Sequence, residues 1–142
     1  LKLRTSGYNG SNVKKTAIIH TNDPDNPKFT LTIAGYVEKF VDLNPKHVRL
    51  TGYSGTQISV PVTIAPTEKY PFKIVNVTSK SDIFIKYTLT ERKLEEGSGY
   101  TLLIENLKTD KGRYMDILTL TTDSQIQPKI TIRVYGNIMA PK

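Results

Sequence analysis

From Thr56 to Ala65 the sequence alternates without a break, with Ile58, Val60, Val62 and Ile64 on one parity and Gln57, Ser59, Pro61 and Thr63 on the other. Successive side chains of a strand point to opposite faces, so this stretch can bury only one of them. The same alternation returns at Ile83, Ile85, Tyr87 and Leu89, and again at Ile130, Ile132 and Val134. Shorter strands fit His47–Leu50, Phe72–Val77, Tyr100–Asn106 and Tyr114–Thr122, and turn residues separate them at Gly52–Gly55, Pro66–Pro71, Glu95–Gly99 and Thr109–Gly112. Pro61 has no N–H to give to a ladder, which argues for an edge position or a local interruption. Seven short strands at this spacing predict an all-β, antiparallel β-sandwich over residues 46–142. Its core is expected to hold Ile58, Val60, Val62, Ile83, Ile85, Leu102, Ile104, Leu118, Leu120, Ile132 and Val134.

A second constraint is an internal repeat. Residues 16–37 (TAIIHTNDPDNPKFTLTIAGYV) and 116–138 (DILTLTTDSQIQPKITIRVYGNI) align with one extra residue in the second copy. Thr21 then meets Thr121, Asp23 meets Asp123, Pro27 meets Pro128 and Gly35 meets Gly136, and Phe29, Leu31 and Ile33 fall on Ile130, Ile132 and Val134. Each copy reads as strand, polar turn, strand: the last hairpin of a sandwich domain. The second copy follows a full set of strands, whereas little precedes the first. Residues 1–38 are therefore expected to be the C-terminal part of an incomplete sandwich domain, followed by a linker at 39–45 and a complete domain at 46–142. The chain opens on Leu rather than Met, and is read as starting inside a longer protein.

Asp110-Lys111-Gly112-Arg113-Tyr114 has the D-x-G-x-Y form that precedes strand F of immunoglobulin-like sandwiches, with the tyrosine hydroxyl bonding to upstream backbone. Two residues on, antibody domains carry cysteine; here the residue is Asp116, and the chain has no cysteine. That excludes disulfides, thiolate metal sites and cysteine nucleophiles.

The run from Gly10 to Val37, G-x-x-x-K-T-A-x-x-x-T-N-D-P-x-x-P-x-x-x-L-x-I-x-G-x-V, resembles a bacterial extracytoplasmic domain family of unknown function related to the Hydin-type (ASH) and PapD-like immunoglobulin folds. The second unit matches more loosely, through Thr122–Gln125 and the closing Ile132-x-Val134-x-Gly136-x-Ile138. The resemblance implies a sandwich fold and a periplasmic or cell-surface setting, and it implies no catalytic residues.

Candidate chemistry is sparse. Asn22-Asp23-Pro24-Asp25-Asn26 gathers oxygen ligands of the kind calcium takes. Asn and Asp also cap their own backbone and Pro fixes a bend, so a structural turn with no metal is expected. His20 and His47, the two histidines, show no ligand spacing. No serine sits in a nucleophile elbow and no glycine-rich loop leads into a helix, so neither catalytic residues nor a cofactor are expected. Tyr53, Tyr70 and Tyr100 lie in or beside turn signals and are candidates for an interaction surface. Net charge is +7, but the basic residues are scattered and interrupted by acidic ones, which makes direct nucleic-acid binding a minor expectation. The leading expectation is a non-catalytic interaction or assembly module of a bacterial envelope protein, contacting a protein partner or itself through loops, strand edges or the incomplete hairpin. The hairpin is expected to be completed from outside, by the missing front half of its domain, by another copy or by a partner lending strands, and its packing against the second domain is the rival outcome. A carbohydrate- or surface-binding accessory domain and a basic nucleic-acid-binding domain are the alternatives, favoured respectively by a row of exposed tyrosines or by a contiguous positive face.

Overall fold

The computed structural model of the chain describes residues 1–5, 8–94 and 97–141, and every regular element among them is a β-strand. Two units are distinguished, Leu1–Phe40 and Val41–Lys142. In the first, β1 (Ser11–His20) and β2 (Lys28–Val37) form an antiparallel hairpin, with Ala17 opposite Leu31 and Ile19 opposite Phe29.

The second unit holds β3 (Val41–Asn44), β4 (His47–Tyr53), β5 (Ser59–Pro66), β6 (Ile74–Ser79), β7 (Ile85–Leu94), β8 (Gly97–Asn106), β9 (Gly112–Thr122) and β10 (Lys129–Met139). One sheet has the order β3-β5-β8-β7 and the other β4-β10-β9-β6. With β5, β8 and β7 as B, E and D and with β6, β9 and β10 as C, F and G, this is the immunoglobulin arrangement. The alternation in each strand turns one apolar face inward. Val48, Leu50, Leu118, Leu120, Ile132 and Val134 from one sheet and Val62, Ile64, Leu102 and Ile104 from the other are fully buried. The turn expected at Glu95–Gly99 lies partly outside the described residues, at Glu95 and Glu96.

Four sequence expectations change. Residues 41–44, read as linker, form β3 and pair with Thr63–Pro66; a four-residue strand is too short to show its period. β4 runs parallel to β10, from His47 beside Arg133 to Tyr53 beside Met139, because the chain passes from one sheet to the other between Asn44 and His47. Alternation cannot reveal strand direction. Ile83 is 65% exposed, since it belongs to the turn before β7 rather than to the strand. Val60 is half-buried rather than core. Pro61 sits in β5 beyond the reach of β3, where β5 has β8 as its ladder neighbour, so the interruption it predicted is the short length of β3.

Candidate functional site

The two copies of the repeat are hairpins closed by the same turn. Thr21 N–H donates to Pro27 O at 2.9 Å and Thr122 N–H to Pro128 O at 2.8 Å. The Thr122 hydroxyl donates to Gln127 O at 2.7 Å, and the Thr21 hydroxyl to Asn26 O. Each threonine oxygen also accepts a backbone N–H two residues on, from Asp23 at 3.3 Å and from Ser124 at 3.2 Å. Asp23 Oδ1 then accepts from Asp25 N–H at 3.0 Å, as Ser124 Oγ accepts from Ile126 N–H at 3.2 Å. The turns are equal in length, so the gap introduced by the sequence alignment disappears: Thr21 corresponds to Thr122 and Asp23 to Ser124. The threonine that caps the turn sets the correspondence, not the T-x-D spelling. Asn22 and Pro24 are exposed turn residues, and Asp23 serves as a backbone cap.

The correspondence carries through both strands but the surroundings differ sharply. In the second copy, Ile130 and Ile132 are 3% and 0% exposed beneath the opposing sheet. Their counterparts Phe29 and Leu31 are 45% and 48% exposed. They share one face with Ile19, Ala17 and Ile33, all half-buried. Restoring full burial to Phe29 and Leu31 would be worth about 1 kcal/mol each at the usual coefficient for apolar area.

Two positions on this face have changed chemistry. Tyr114 lies opposite Gly136, where the first copy has Val13 opposite Gly35. The Tyr114 ring fills the space over Gly136, whereas a Cβ built on Gly35 meets nothing within 4 Å. Asp116 lies opposite Val134, where the first copy has Lys15 opposite Ile33. Lys15 Nζ donates to Lys2 O at 2.6 Å.

Asp116 is 2% exposed and fully engaged. Its Oδ2 accepts from Ser79 Oγ at 2.5 Å and Ser81 Oγ at 2.8 Å, and its Oδ1 from the N–H groups of Ser81 at 3.1 Å and Ile117 at 2.7 Å. Burial works to raise its pKa, but the bonds from Ser79, Ser81 and Ile117 outweigh it and hold the carboxyl below its ordinary value. At the position of the antibody cysteine, this side chain fastens β9 to the segment leaving β6. Ser79 Oγ also accepts from the N–H of Asp82, whose φ of 55° turns that segment.

The tyrosine corner is present in altered form. Tyr114 hydroxyl donates at 2.8 Å to Asn106 Oδ1, a side chain rather than the backbone. Asn106 then holds the loop, its Nδ2 donating to Lys108 O at 2.9 Å and its Oδ1 accepting from Lys108 N–H at 3.2 Å. A Cβ built on Gly112, whose φ is 147°, would stand 3.0 Å from Lys108 Cε, and Asp110 is exposed in the preceding loop. Burial, and then the negative charge of Asp116, push the Tyr114 phenol up to about 12.

The expected tyrosine surface does not assemble. Tyr100 is 5% exposed, pairs with Ile64 inside the sheet and accepts from Ile74 N–H at 3.3 Å; the neighbouring Gly99 is a turn signal in the sequence but belongs to β8. Tyr53 precedes β5 and Tyr70 follows it, so the two half-buried rings stand at opposite ends of that strand. His20 and His47 are exposed on separate units. Among the described residues no group of three or more His, Cys, Asp or Glu side chains is placed to hold a metal, and no helix is long and apolar enough to cross a membrane.

No protein-family model matches the chain, and no curated protein does. Among solved structures, it is similar to a protein of unknown function from Porphyromonas gingivalis W83, with a TM-score of 0.56 and 9% identity. The match covers 90% of this chain and 66% of that one. At that identity the likeness is one of fold.

Proposed function

We propose that this chain is a non-catalytic interaction and assembly module whose β1–β2 hairpin docks a β-sheet layer from outside these residues, whether from upstream chain, a second copy or a partner protein. The observation that supports this reading is the contrast between Phe29 and Leu31, half exposed, and Ile130 and Ile132, buried at the matching positions. The second unit illustrates the kind of layer that suits such a face: a sheet with apolar side chains turned toward it, as β3-β5-β8-β7 turns Val62, Ile64, Leu102 and Ile104. An isolated two-stranded hairpin is marginal in water, and its open edges and face favour pairing with added strands. The resemblance of residues 10–37 supports a bacterial envelope setting.

Light scattering over a range of concentrations, combined with hydrogen exchange, tests the docking. Association that is lost in Phe29→Asp/Leu31→Asp, with the melting of the second unit unchanged, is the outcome for self-docking. A monomer whose amides in residues 28–37 exchange fast leaves the face to upstream chain or a partner protein. A monomer with those amides strongly protected would overturn the proposal, because the hairpin would already be complete.

A further inference from the structure

The outward face of the β4-β10-β9 sheet combines features that the scattered sequence conceals. Strict alternation in β10 buries Ile130, Ile132 and Val134 and turns Arg133 and Tyr135 to solvent. β4 likewise buries Val48 and Leu50 and exposes His47 and Arg49. Register then builds two rungs across three strands: Arg49 beside Tyr135 beside Met115, and Thr51 beside Asn137 beside Arg113. Arg49 is thus about 5 Å across the ladder from Tyr135, Arg133 about 7 Å along the same strand, and Arg113 about 7–8 Å away on the diagonal. Three guanidinium-bearing side chains surround one phenol that is 38% exposed, beside a Met115 that is 56% exposed. A shallow concavity of about 420 Å³ lies among Arg49, Thr51, Arg113, Tyr135 and Asn137, and Tyr114 and Gly136 also line it. The one carboxylate on these three strands, Asp116, faces inward and is engaged by serines.

We infer that this face docks an acidic segment of a protein partner, carrying two or three Asp or Glu side chains in a short run. Arginine, tyrosine and methionine are the residue types concentrated in protein interfaces, while lysine, aspartate and glutamate are depleted there. Arg and Tyr are also the commonest hot-spot residues. The guanidinium fork pairs with a carboxylate through two parallel bonds, which a lysine cannot do. A single-stranded nucleic acid would instead follow an extended basic track with several stacking aromatics. Here one exposed aromatic, Tyr135, stands within one compact cluster. This surface belongs to the second unit and is independent of the hairpin face.

The test is fluorescence anisotropy with labelled deca-glutamate, set against labelled deca-thymidylate. The chain is expected to bind the peptide more tightly. Arg49→Glu/Arg133→Glu should weaken peptide binding more than about tenfold with the melting temperature retained. Tyr135→Ala should weaken it several-fold without any change of charge. Lys86→Glu/Arg92→Glu, an equal charge change on β7 of the opposite sheet, should leave affinity within about twofold. If the glutamate variants fail to fold, Arg49→Gln/Arg133→Gln set against Lys86→Gln/Arg92→Gln carries the same comparison. Equal losses in the two double variants, no binding of the peptide, or tighter binding of the oligonucleotide would overturn the inference.

Discussion

The Tyr114 ring occupies the space that any side chain at Gly136 would need: a Cβ built there would stand 2.0 Å from the Tyr114 Cε1. Gly136→Ala must push the half-buried ring aside, displacing it from its hydrogen bond to Asn106 and from Phe84, whose ring centroid lies 5.1 Å away. The expected cost is about 3 kcal/mol. Gly35→Ala, at the matching place in the first hairpin, should change stability by less than about 0.5 kcal/mol. Urea denaturation of the two variants checks the contrast.

Tyr114→Phe keeps the ring and removes the hydroxyl. Asn106 Oδ1 retains the Lys108 N–H, so the loss should be about 1 kcal/mol, measurable in the same way. The phenol should ionise late, near 12, and its folded-state pKa is raised. Its stabilising contribution is therefore full below the unfolded value of 10.0 and is lost as pH rises through about 12. An absorbance titration should show a late phenol step that disappears in Tyr114→Phe.

Asp116 acts at the other end of the pH scale. Its folded pKa is depressed, so the stability it lends is full above the unfolded value near 3.8 and is lost as pH falls through the lower folded one. Unfolding free energy should decline in that acid range. Asp116→Asn should weaken the domain by about 2 kcal/mol at neutral pH and flatten the acid decline. Retention of the full acid decline in the variant would assign it to other carboxyls.

Leu120→Ala, at a fully buried position in β9, should cost about 2–5 kcal/mol. Ile19→Ala, its half-buried counterpart, should cost much less in the isolated chain and more once the hairpin face is covered.

A chelator should leave the melting temperature unchanged. A bound metal stabilises in proportion to its affinity for the folded form, and Asp23 is already used to cap the Asp25 N–H. A drop on adding chelator would restore the calcium reading of Asn22–Asn26.

Much of the sandwich could be read from alternation, because one-sided burial writes a period of two into β5, β9 and β10. Features set by pairing between distant segments could not. The parallel match of β4 with β10, the strand at Val41–Asn44 and the inward turn of Tyr100 depend on neighbours far along the chain. The basic face was hidden for the same reason. Arg49, Arg113 and Arg133 are far apart in sequence and meet through register, which makes a dispersed +7 charge locally dense. The repeat was visible, but its alignment depended on hydroxyls that cap turns, at Thr21 and Thr122, and spelling alone placed the gap wrongly.

The parallel pairing of β4 with β10 has a mechanical consequence. Pulling the chain backward from His47 and forward from Met139 draws these strands in opposite directions along a shared ladder that runs from His47 and Arg133 to Tyr53 and Met139. The load then falls on all its rungs together, in shear. In the β1–β2 hairpin the chain enters at Ser11 and leaves at Val37, which are paired at the same end, so tension there opens one rung at a time. Stretched from its ends, the protein should yield first at the hairpin and hold at the sandwich.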